Sequence, residues 1–84
     1  MILTERSDGE YRIYAGAMEA TQGDGYIAAV VVNLTRTDDH AAREAFRDEA
    51  LACGHRWVSS EAALAYAMGK GRQAVQRERH RPTR

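Results

Sequence analysis

The chain has 84 residues, twelve basic and twelve acidic side chains and a single cysteine. That length supports one small domain and excludes two with separate cores, and the lone Cys53 excludes an intramolecular disulfide. The start Met1-Ile2-Leu3-Thr4-Glu5 meets charge at once, and no apolar run is long enough for a signal peptide or a spanning helix, so a reducing, cytoplasmic setting without a membrane partner is expected.

In chain order, the first periodic stretch is Tyr11 to Met18. Tyr11, Ile13, Ala15 and Ala17 alternate with Tyr14 and Met18, which predicts a strand with two distinct faces. Thr21-Gln22-Gly23-Asp24-Gly25 carries the turn chemistry of a hairpin. The returning strand, Tyr26 to Leu34, is apolar on both faces: Tyr26, Ala28, Val30, Val32 and Leu34 on one, Ile27, Ala29 and Val31 on the other. A single helix covers one such face and leaves the second in need of its own cover.

Between Thr35 and Gly54 two principles conflict. Helix propensity favours a helix through Ala41 to Leu51, capped by Asp38 or Asp39 and ended at Gly54. A two-stranded sheet, however, is only marginally stable, and Phe46 and Leu51 among small or charged neighbours make a poor helical stripe. The segment is therefore read as a third strand around Ala45 to Leu51. In the alternative, a short helix lies here and Met1 to Leu3 supply the extra strand.

From Ser59 the pattern is helical. Ser59 or Ser60 can cap the first free amides, and Glu61 sits in the first turn, where the helix dipole favours negative charge. Leu64, Met68, Gly71 and Val75, joined by Ala67 and Ala74, form a stripe that faces the sheet. Gly71 on that stripe lets helix and sheet backbones approach. Pro82 ends any helical continuation, so the chain reads as one α+β domain over 1–79 with a disordered basic tail over 80–84.

Net charge is zero but unevenly spread: Lys70 to Arg84 holds six basic residues against one acidic, and the rest of the chain balances it. Lys70, Arg72, Arg77 and Arg79 are thus candidate contacts for an anion or nucleic acid, while cations near a helix C-terminus also have an intramolecular explanation in the dipole. Cys53-Gly54-His55, with His40 and the Asp38-Asp39 pair, offers donors of the kinds zinc takes but lacks the paired spacing of a structural site. A Cys53 nucleophile would need a base and an oxyanion hole that no motif supplies. No catalytic residue, cofactor or metal is assigned.

Asp24-Gly25-Tyr26, then Gly54, then Ser59-Ser60-Glu61-Ala62-Ala63-Leu64-Ala65-Tyr66-Ala67 resembles the hairpin and helix of HicB-type antitoxin domains, over about half of the chain. The chain departs from that pattern in lacking a proline-containing segment after the second strand, where a charged stretch stands instead. It also looks like many small uncharacterised bacterial α+β domains. The antitoxin resemblance implies a small toxin as partner.

The combined expectation is a βββα domain, an antiparallel sheet of about three strands with one long C-terminal helix across one face. Tyr14, Met18, Ile27 and Val31 on the other face are the candidate partner-binding residues; Trp57 before the helix is read as closing the end of the core, with a partner anchor or base-stacking platform as the alternative, and a second copy of the chain is the expected partner. Functionally this describes a non-catalytic interaction module. The alternatives are a nucleic-acid-associated accessory protein and an antitoxin-like protein.

Overall fold

The computed structural model describes residues 1–35 and 41–80. Asp38, Asp39 and His40, considered above as cap and metal donors, and the tail from 81 onward lie outside the described residues. Four strands, β1 (Ile2–Asp8), β2 (Tyr11–Glu19), β3 (Tyr26–Leu34) and β4 (Arg43–Asp48), form an antiparallel sheet in chain order. A single turn, α1 (Leu51–Gly54), and the long helix α2 (Ser60–Arg79) follow. The class is α+β as expected, but the sheet has four strands where about three were predicted: both proposed sources of an extra strand are used.

β1 joins β2 through the two-residue turn Gly9-Glu10, with Gly9 at φ 63°, the positive value that a tight hairpin of this kind demands. β2 and β3 pair from Tyr11↔Leu34 to Glu19↔Tyr26. Their alternation is realised: the opposed pairs Ile13↔Val32, Ala15↔Val30 and Ala17↔Ala28 are all buried. In β4 the register slips beside Val32 and Asn33, where Ala45 is the extra residue of a bulge. Phe46 therefore lies opposite Val32 and packs against the core, while Arg47 opposite Val31 points the other way.

α2 lies across β2 and β3. Ala63, Ala67, Gly71 and Ala74 make up its contact row, flanked by buried Met68 and Val75, and Leu64 is half-buried at the margin. Small residues at that spacing bring the helix axis close to the sheet. At Gly71 the approach is closest: a Cβ there would run into the Cγ2 methyl of Ile13 and come within 3.1 Å of that of Val30. Among the described residues no helix is long and apolar enough to cross a membrane.

Of the two serines proposed as caps, Ser59 is the one used. It has extended φ,ψ, and its Oγ accepts from the Ala62 N–H at 3.1 Å, with Glu61 in the first turn and Arg77 and Arg79 in the last. Ser59→Ala is expected to cost about 1 kcal/mol of unfolding free energy. A urea midpoint unchanged at equal protein concentration would contradict that role.

Candidate functional site

Helix and turn both lie on one side of the sheet, so among the described residues no layer covers the side chains of β1 to β4 that point the other way. Register places Leu3 opposite Gly16, Tyr14 opposite Val31 and Met18 opposite Ile27, all on this uncovered face. The four apolar residues expected to form a partner surface, Tyr14, Met18, Ile27 and Val31, are thus brought together and are each half-buried by their neighbours. Leu3 (65% exposed) and Met1 (80% exposed) extend the patch. A depression of about 270 Å³ lies between these side chains, floored by Gly16 and Ala29.

Charged groups of both signs rim the patch. Arg12 pairs with Glu5 at 2.8 Å, and Arg47 pairs with Glu44 at 2.9 Å and Glu49 at 2.7 Å. The hydrogen-bonding carboxylates of Glu44 and Glu49 hold the Arg47 guanidinium above its ordinary pKa. These pairs are solvent-exposed and contribute little stability; their consequence is to fix alternating charge at the edge of an apolar surface.

Met1, Leu3, Arg47 and Glu49 were not assigned to the partner surface from sequence. Their signal was the extent of β1 and β4: once Leu3 is a strand residue opposite Gly16, its face follows from the period of two.

Trp57 is not part of this patch. Its backbone forms a two-way bridge with Tyr26, with N···O distances of 2.9 Å in both directions. Its ring packs against the core beside Tyr66, with centroids 4.7 Å apart, and His55 meets it edge-on at 4.5 Å. It closes one end of the core on the helix side.

No family model matches the chain, and neither a curated protein nor a solved structure is significantly similar to it. The site therefore has to be read from its own geometry.

The four candidate basic contacts divide. At about 100° per residue, Lys70 and Arg77 fall on one flank of α2, and Arg72 and Arg79 on the other. Arg79 donates to the Asp8 carbonyl at 3.1 Å and pairs with its carboxylate at 2.9 Å, and its guanidinium lies 5.9 Å from the Tyr11 ring centre. It ties the helix end to the β1–β2 turn. Lys70 Nζ sits 5.5 Å over the Tyr66 ring.

Cys53 is exposed, within α1. Ala52 (φ 52°, ψ 41°) and Cys53 (φ 57°, ψ 34°) are left-handed, followed by Gly54 at φ 82°. Non-glycine residues cost about 1–2 kcal/mol each in that region. The turn is held by the Gly54 N–H donating to the Ala50 carbonyl at 3.1 Å and by Leu51, which is buried in the core. Among the described residues no group of three His, Cys, Asp or Glu side chains comes together.

Proposed function

We propose that the protein is a small non-catalytic interaction module that self-associates as a homodimer through the uncovered face of its sheet. The observation that carries this reading is the contiguous apolar group Leu3, Tyr14, Met18, Ile27 and Val31 on the side of the sheet opposite the only long helix described. A domain of this size buries only about 60–65% of its unfolded surface, so covering a second sheet face adds substantially to a thin core. Two features favour a second copy as the cover. The rim carries both Arg47 and Arg12 and their acidic partners, so a two-fold-related copy would meet charges of both signs and no single-sign repulsion. The centre is concave over Gly16 and Ala29, with Tyr14 and Met18 beside it as side chains long enough to enter a facing depression. The lining offers apolar groups and a tied ion pair, which suit docking better than proton or group transfer.

Sedimentation velocity tests the reading. The parent chain is expected to sediment as a dimer at micromolar concentration. Val31→Asp, which places an unpaired carboxylate at the centre of the patch, is expected to raise the dimer dissociation constant by at least about a hundredfold, equivalent to about 2.7 kcal/mol. The far-UV circular dichroism of that variant should be unchanged, because Val31 faces away from α2. A parent chain that remains monomeric at high micromolar concentration would overturn the proposal.

A further inference from the structure

We propose that the cleft between β4, α1 and the Lys70–Arg77 flank of α2 is a binding site for a small organic anion, one that joins a carboxylate or phosphate to an aromatic or short apolar body. The cleft has a volume of about 220 Å³ and is bounded by Phe46 and Leu51 on one side and by Tyr66, Lys70, Gln73 and Arg77 on the other. It lies on the helix side of the sheet, away from the proposed dimer face, so the two proposals stand or fall separately.

The charge pattern carries the inference. Arg12, Arg43, Arg47, Arg56 and Arg79 each have a carboxylate oxygen within 2.7–3.3 Å. Among the described residues Arg6, Lys70, Arg72 and Arg77 have no such partner, and of these Lys70 and Arg77 are brought by seven residues of helix onto one flank and into one cleft. Gln73, one turn from each, adds an amide between them. Lys70 is held over the Tyr66 ring by its charge, an interaction that leaves its N–H donors available. The one acidic side chain on the lining, Asp48, uses Oδ1 to accept the Ala50 N–H at 3.0 Å, which turns it toward the α1 backbone.

The apolar part of the lining is equally defined and comes from both walls. Phe46 and Tyr66 are both half-buried, pack against the core and line the cleft. Ala52 lines the wall from its left-handed position, where the backbone is fixed by buried Leu51. Two cations and an amide along the helix, facing aromatic and aliphatic surface across the cleft, match a ligand that is anionic at one end and apolar at the other. The volume limits the body to about one ring.

Amide-resolved NMR titration of the full chain tests this with four probes: phenyl phosphate, benzoate, inorganic phosphate and benzyl alcohol. The two aromatic anions are expected to give saturable shifts at Phe46, Leu51, Ala52, Tyr66 and Gln73, with dissociation constants on the order of 1 mM. Inorganic phosphate and benzyl alcohol should each bind at least about tenfold more weakly, because each offers only half of the contact. Lys70→Gln and Arg77→Gln should each weaken the aromatic anions about tenfold, and Arg72→Gln on the opposite flank should not. Saturable binding absent for both aromatic anions, or unaltered in the Lys70→Gln/Arg77→Gln double variant, would overturn the site. Inorganic phosphate binding as tightly as phenyl phosphate would overturn the apolar half of it.

Discussion

A Gly71→Val chain is expected to lose its cooperative urea transition, although the change raises intrinsic helix propensity. The first added carbon meets the Cγ2 methyls of Ile13 and Val30, residues that are 0% and 1% exposed and branched at Cβ, so neither can swing away. Two further methyl groups then have to be fitted into the same contact. Gly71→Ala separates the terms. Helix propensity favours it by about 1 kcal/mol, overpacking opposes it by about 1–3 kcal/mol, and the net expectation is a loss of about 0–2 kcal/mol. Gly69→Ala provides the opposite sign, because nothing lies within 4 Å of a Cβ at that position. It should gain about 0.5–1 kcal/mol, raising the melting temperature by several degrees in a domain of this size. Equal stability of Gly71→Ala and Gly69→Ala would mean that α2 rides farther from the sheet than the Ile13 contact requires. All variants need one protein concentration, since self-association would otherwise shift the midpoints.

Trp57→Ala is expected to lower stability by about 2–4 kcal/mol, somewhat less than a fully buried tryptophan because the ring is only half-buried. The backbone pair with Tyr26 survives the substitution, whereas the contacts with Tyr66 and His55 do not. Trp57→Phe should recover most of the loss. Sedimentation of the folded fraction of Trp57→Ala at low temperature should match the parent, since the ring is on the helix side of the sheet. A variant of unaltered stability that dissociates would instead make Trp57 a partner anchor.

The helix start and the two central strands were legible from sequence because their local chemistry and their tertiary role agree. Ser59 caps a segment that is helical by propensity as well as by packing, β2 is rich in strand formers with two distinct faces, and β3 is a short apolar run returning from a glycine turn. The edges were harder. β1 runs Ile2-Leu3-Thr4-Glu5-Arg6-Ser7-Asp8, and an edge strand exposed along almost its whole length carries little apolar period; Asp8-Gly9 was its clearest sign. β4 is drawn from good helix formers, Arg43, Glu44, Ala45 and Arg47, and pairing with β3 overrides that preference. The uncovered face followed from the period of two once the strands were placed. Trp57 reads from sequence as a residue closing the end of the core, with a partner anchor as the alternative, and the bridge to Tyr26 turns its ring to the core. The cleft was invisible from sequence: it needs β4 as a strand, α1 as a left-handed turn and one flank of α2, and the left-handed turn had no sign in the sequence.

The strand order also bears on how the chain reaches this state. Because each strand pairs with its sequence neighbour, the sheet forms by a succession of hairpins, and only the Tyr26–Trp57 bridge waits for a more distant segment among the described residues. Local pairing of this kind lowers contact order and speeds folding relative to sheets built by crossovers. The slower event is then the return of α2 onto β2 and β3, and until it docks Ile13, Val30 and Val32 remain open to water. Such a chain is most exposed to aggregation while its helix is still undocked.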